Sequence, residues 1–305
     1  MAKDAKKLAD RNANRSVTPH SKQFLKFIGG NWADRDNSLP KQSEVAPYAA
    51  KRRALVAKAF KGKVVVIAAG DAKQRSNDTE YRFRAHSAFS HLTGWGTHTV
   101  PGSILVIDAR KAAKATLFFR ETAGRDTDEF FANSAIGEFW VGARPSLKQV
   151  GAQLGLATKS LSAFEEFLKT INKKDIVTLE DAKLAEFVSE LRLIKDAYEI
   201  KEMRKAVAAS VEGFKAVVRN LDDAVKHPRG ERVVETSFFA EARANGNELG
   251  YETIAASGEH ACILHWIIND GKVNRGDLLL LDAGVEVDSL YTADVTRTLP
   301  VNGKF

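Results

Sequence analysis

Apolar residues fall at helical spacing over residues 43–60, where Val45, Ala49, Leu55, Val56 and Phe60 mark one side and Gly62 closes the segment. The predicted helix feeds a β-branched run, Val64-Val65-Val66-Ile67-Ala68, that ends at Gly70. Residues 104–107 and 115–119 repeat that form with polar or turn-like material between, so the three runs are predicted to be strands of one buried sheet. Helical patterns return over residues 160–170 and 181–190, separated by the charged segment Asn172-Lys173-Lys174-Asp175. A domain boundary is expected between residues 172 and 190.

Beyond that boundary, Asp196 and Glu199 have the spacing of a capping box, so a long helix is predicted to start there. Ile200, Met203, Val207, Val211, Phe214, Val218 and Leu221 recur at steps of three and four, which predicts that this face packs against the rest of the domain. A second helix is expected from Glu231 to Ala244, with Gly246 as a left-handed terminator. The pattern then turns β-like at Tyr251, again at Cys262-Ile263-Leu264-His265-Trp266, and again over residues 276–282. No internal repeat or low-complexity tract is visible, which disfavours an array or solenoid.

The final fifth of this part reads as a hairpin. The apolar run from Leu278 and the alternating Val295, Arg297 and Leu299 flank a polar turn near residues 286–290. A turn centred on Asp288 would set Asp282 directly opposite Asp294, with their β-carbons about 5 Å apart on one face. Four consecutive leucines before Asp282 predict a strand buried on both faces, where an unpaired carboxylate is costly. Two converging acidic side chains then point to a divalent cation. The alternatives are that either aspartate simply ends its strand in a turn, or that the register slips by one and separates them. His265, taken alone on an apolar strand, reads as a hydrogen-bonded core residue, and His260, in a loop-like stretch, is not expected to be a ligand.

Composition narrows the chemistry. Cys262 is the only cysteine, so no internal disulfide forms and any metal must be held by Asp, Glu and His. The net charge of +7 is an N-terminal feature: residues 1–63 hold 15 Lys and Arg against 5 Asp and Glu, leaving 31 against 34 in the remainder. Those basic residues are not interleaved with aromatics, so a solvated extension is expected in place of a nucleic-acid surface, with residues 1 to about 20 mobile. No run of eighteen apolar residues and no signal-like N-terminus are present, from which a cytoplasmic protein without membrane contact is expected.

At these residues the sequence resembles a known family. Ser257-Gly258-Glu259, Cys262 to His265, Gly276-Asp277-Leu278, Leu281-Asp282-Ala283-Gly284, Asp294 to Thr298 and Pro300 to Phe305 are together similar to the aminopeptidase P group of the creatinase, prolidase and methionine aminopeptidase superfamily. Leu191 to Lys195, Arg75 to Tyr81 and Phe89 to Gly94 resemble the same group, so the likeness covers about residues 45–305. It implies an α/β (α+β) chain: a basic extension over 1–44, an aminopeptidase P-type mixed-sheet domain over 45–180, and a pita-bread metallopeptidase domain over 181–305. It implies Asp282 and Asp294 as ligands of two divalent ions, typically Mn2+, His265 as an active-site histidine contacting substrate, and Tyr251 beside the metal pair.

The implied activity is release of an N-terminal residue ahead of proline, with peptide substrates and a homo-oligomer. A prolidase-type dipeptidase and a non-catalytic pita-bread binding module are the alternatives. The family completes its site with one further histidine ligand, two glutamates and a second catalytic histidine downstream of the Phe305 position. The resemblance therefore implies a truncated chain that binds metal weakly and lacks turnover alone.

Overall fold

The structure is a computed structural model that describes residues 21–77 and 79–304. The first twenty residues, expected to be mobile, lie outside the described residues, as do Asp78 and Phe305. The chain divides into two compact units between Leu193 and Ile194.

In the first unit, α1 (Ala46–Ala59) carries Pro47 in its first turn, where a missing N–H costs nothing. It leads into β1 (Val64–Ala68), followed by α2 (Ser87–Thr93), β2 (Ile104–Asp108), β3 (Lys114–Phe119), α3 (Leu147–Leu154), β4 (Ala157–Ser160), β5 (Ile176–Val177) and α4 (Ala182–Glu190). The sheet order is β4-β3-β2-β1-β5. The three strands read from sequence are antiparallel neighbours, while β4 and β5 join the two edges in parallel, so the sheet is mixed. Both faces are covered, which is why the runs are rich in Val and Ile: Ile67, Leu105, Ile107, Leu117 and Phe119 meet Phe89, Leu92 and Leu184 on one side. Val64, Val106 and Phe118 meet Phe164, Phe167 and Ile171 on the other. Because Leu184 and Val188 belong to this core, α4 lies in the first unit, beyond the residue-180 edge read from sequence.

The described part of the basic extension is not simply solvated. Phe24 packs edge-on against Phe131 at 5.2 Å and Trp32 against Phe130 at 5.6 Å. Arg125 donates to the carbonyls of Trp32 and Ala33.

The second unit opens with α5 (Ala197–Arg219), whose capping box is formed as the spacing requires: Asp196 accepts from the Glu199 amide and Glu199 from the Asp196 amide. The face of α5 that packs is not the predicted one. Ala206, Ala209, Ser210, Gly213, Ala216 and Val217 are buried, whereas Val207, Val211 and Val218 remain 47%, 45% and 54% exposed. The reason is close approach of α6 (Gly230–Asn245): a β-carbon on Gly213 would lie 2.5 Å from the Phe238 ring. Small residues make that crossing; the bulky stripe of Ile200, Met203, Val207 and Val211 lies open, and only Phe214 and Leu221 of the expected set pack in part.

Helix α6 ends at Gly246, which is extended and not left-handed. Glycine is required there because a β-carbon would meet Val285 at 2.5 Å and the Glu286 carbonyl at 2.8 Å. The chain continues through β6 (Glu248–Leu249), β7 (Ile254–Ser257), β8 (Leu278–Ala283), β9 (Val285–Glu286) and β10 (Val295–Pro300). The antiparallel sheet β10-β8-β7 carries the hairpin, and β9 pairs with β6. Among the described residues no helix is long and apolar enough to cross a membrane.

Candidate metal centre

The hairpin register differs from the sequence expectation by two residues. Asp282 faces Thr296 across the β8–β10 ladder, so Asp294 is its diagonal and not its direct neighbour. The turn centres on Ser289, one residue later than predicted, because Leu290 takes a left-handed conformation (φ 67°) and the Val287 amide bonds the Tyr291 carbonyl at 2.9 Å. Two buried glutamates of α5 fix that tip. Ser289 Oγ donates to Glu202 at 2.7 Å, and the Tyr291 hydroxyl donates to Glu199 at 2.8 Å. A shift of two preserves the face, since strand side chains alternate with period two.

The two aspartates therefore still converge. The Tyr251 hydroxyl lies 2.6 Å from Asp282 Oδ1 and 3.1 Å from Asp294 Oδ1. Gly284 makes this possible: any β-carbon there would overlap the Ala293 carbonyl oxygen and crowd the Tyr251 ring. Burial pushes the Tyr251 phenol well above its ordinary range, and the hydrogen bond to Asp282, its charge, and then Asp294 push the same way. The group stays a donor at neutral pH.

Strand β8 is not buried on both faces. Leu279, Leu281 and Ala283 are fully buried, while Leu278 is exposed and Leu280 and Asp282 are half-buried. Asp282 thus sits on the open face of the sheet, where its ionised form keeps access to solvent, and Asp294 is exposed just before β10.

His265 is not on a strand. A short 3-10 segment, Gly258–Cys262, is followed by a turn in which the Trp266 amide bonds the Ile263 carbonyl and the Ile267 amide bonds the His265 carbonyl. The ring is exposed, so the core reading fails. Apolar residues misled here because Ile263 and Leu264 are also exposed, at 49% and 86%. His260 is held by Glu231 at 2.8 Å and stacks on Trp266 at 3.8 Å. The reach of Glu231 into residues 257–271 had no signal in the sequence, since a glutamate in a helix's first turn is ordinary. Glu199 was legible as a cap, but its bond to Tyr291 was not.

The sequence signature of metallopeptidase family M24 matches residues 201–305, and that of the aminopeptidase P N-terminal domain matches residues 48–178. The chain belongs to metallopeptidase family M24. Among its relatives, Xaa-Pro aminopeptidase 2 of Streptomyces coelicolor is 42% identical over 98% of this chain and 66% of its own length. Xaa-Pro aminopeptidase 1 of the same organism is 41% identical over 93% of this chain and 60% of its own. The chain thus spans less than two thirds of the length of these relatives. Aminopeptidase P from E. coli with the inhibitor Pro-Leu superposes with a TM-score of 0.71 at 24% identity, covering 87% of this chain and 64% of that one. That likeness fixes the fold: an aminopeptidase P-type N-terminal domain followed by pita-bread architecture.

The M24 family is one of metallopeptidases, so the donor set can be tested against a divalent ion. Two carboxylates on one face, sharing a phenol donor and open to solvent, are hard oxygen ligands of the kind such an ion takes. Tyr251 donates to Asp282, a hydrogen bond of the kind that orients a carboxylate when it holds a metal. Among the described residues no group of three or more His, Cys, Asp and Glu side chains stands close enough to hold an ion. The pair fits one side of a divalent site.

Proposed function

We propose that this chain is part of a metal-dependent Xaa-Pro aminopeptidase, which releases the N-terminal residue from peptides with proline in second position. The observation that carries the reading is the convergence of Asp282 and Asp294 on the Tyr251 hydroxyl, in a chain of the M24 family. In this reading Asp282 and Asp294 hold divalent metal, with Mn2+ as the ion that the family likeness favours. The bound metal supplies activation of water and polarisation of the scissile carbonyl.

The remaining work belongs to the chain's own side chains. Asp282 and Asp294 present anionic oxygens on one face of the β8–β10 ladder. Tyr251 donates its single hydroxyl proton to the nearer carboxylate and so fixes the rotamer of Asp282. His265, exposed on its turn, offers an imidazole to the substrate. Two names among the relatives, both Xaa-Pro aminopeptidases, support the substrate class.

Incubating the intact protein with Mn2+ and either an Xaa-Pro-Xaa tripeptide or an Xaa-Pro dipeptide tests the reading. Tripeptide cleavage that is lost in Asp282→Asn supports it. Cleavage of the dipeptide alone would replace it with a prolidase-type activity, and Mn2+-independent peptide binding would replace it with a binding module.

A further inference from the structure

Glu231 is a fully buried carboxylate that the chemistry above does not use. It lies in the first turn of α6, and four donors converge on it. Oε1 accepts from the Ser257 amide and from His260 Nδ1, each at 2.8 Å. Oε2 accepts from Trp266 Nε1 at 2.8 Å and from the Gly271 amide at 2.7 Å. A carboxylate only accepts, so His260 must carry its proton on Nδ1.

These donors come from both ends and the middle of one segment, residues 257–271, and His265 lies inside it, one residue before Trp266. The segment is built around the carboxylate. A β-carbon on Gly271 would lie 2.7 Å from Glu231 Oε2 and 2.7 Å from the His260 ring, so only glycine fits. His260 stacks on Trp266 with an interplanar angle of 25°, holding the indole flat while Glu231 holds its N–H. A second, smaller anchor sits beside it: Asn269 accepts from the Ala255 amide and donates to the Thr253 carbonyl.

We propose that Glu231 is the positioning residue of His265: by fixing Ser257, His260, Trp266 and Gly271 at once, it sets where the His265 imidazole stands. The proposal rests on the reading of His265 as a substrate contact. A buried acceptor with four donors is a stringent device, because every donor is left unsatisfied if it goes.

The test is Glu231→Gln, which keeps the shape and replaces one acceptor oxygen by an amide nitrogen. In chain labelled with 13C at histidine Cε1, with the His265 signal assigned by its loss in His265→Asn, the variant is expected to shift or split that signal. Exchange of the Ser257 and Gly271 amides is expected to quicken at least about tenfold. Mn2+ affinity should stay unchanged. A folded variant whose His265 signal matches wild type overturns the proposal. Should Glu231→Gln not fold, Trp266→Phe removes a single donor and keeps an aromatic ring under His260. It is expected to move the His265 signal, and an unmoved signal there is equally fatal. Failure of the wild-type chain to bind Mn2+ would instead strike the peptidase reading and leave the Glu231 result standing.

Discussion

The Tyr251 hydroxyl donates to Asp282 Oδ1 at 2.6 Å, and the same oxygen stands 3.1 Å from Asp294. One hydroxyl proton cannot serve both carboxylates, so the shorter bond takes it and Asp294 is the less constrained of the two. Tyr251→Phe removes that proton and frees the Asp282 side chain to rotate. Loss of an outer hydrogen bond of this kind typically weakens metal binding about 10–100-fold. Calorimetric titration with Mn2+ should show that drop, and an unchanged isotherm would remove Tyr251 from the site.

Asp282 and Asp294 repel each other in the absence of metal. Neutralising the more exposed one relieves that repulsion, so Asp294→Asn is expected to raise the stability of the metal-free chain, on the order of 0.2–1 kcal/mol. The same substitution should weaken Mn2+ binding. Thermal unfolding in EDTA and then in Mn2+ checks both signs, and the ranking of variant and wild type should reverse between the two conditions.

His86 caps α2, with its Nδ1 accepting the Ala88 amide at 3.2 Å. Protonation of Nδ1 would delete that acceptor. Burial, followed by the charges of Arg192 and Arg84, holds the His86 imidazole below its ordinary 6.5. The unfolded chain therefore binds this proton more readily than the folded one, and stability is complete above about pH 6.5 and lost as pH falls through the window beneath it. His86→Asn keeps a capping acceptor without a titrating ring. Melting temperatures at pH 7.5 and 5.5 should show a smaller acid-side decline for the variant than for wild type.

Val207 and Val211 are nearly half exposed on α5 although their spacing marks them as core. Replacing both with lysine should change stability by no more than about 0.5 kcal/mol each, as for other surface sites. The expected gain is solubility, read by light scattering at rising concentration. A loss of several kcal/mol would show that the bulky stripe, and not the Ala206–Gly213 side, makes the helix contact.

That stripe illustrates where sequence reading stopped. The β-branched runs of the first unit identified β1, β2 and β3 because a strand covered on both faces must be apolar throughout. The capping box located the start of α5 because its two hydrogen bonds are local. Which face of α5 packs was not legible, since periodicity weighs bulk whereas the Gly213–Phe238 approach selects for smallness. The convergence of Asp282 and Asp294 was readable as a hairpin pattern. Their diagonal register was not, because it depends on Leu290 turning left-handed and on Glu199 and Glu202 gripping the tip from a helix some ninety residues upstream. The exposure of His265 was not legible, for nothing local distinguishes an exposed apolar turn from a buried strand.

The most direct test of the account is Mn2+ titration of the wild-type chain beside the double variant Asp282→Asn, Asp294→Asn, with circular dichroism confirming that both are folded. Saturable binding in wild type and its loss in the variant is the predicted result. Equal binding by the two folded chains would contradict the assignment of these aspartates as the metal-holding pair.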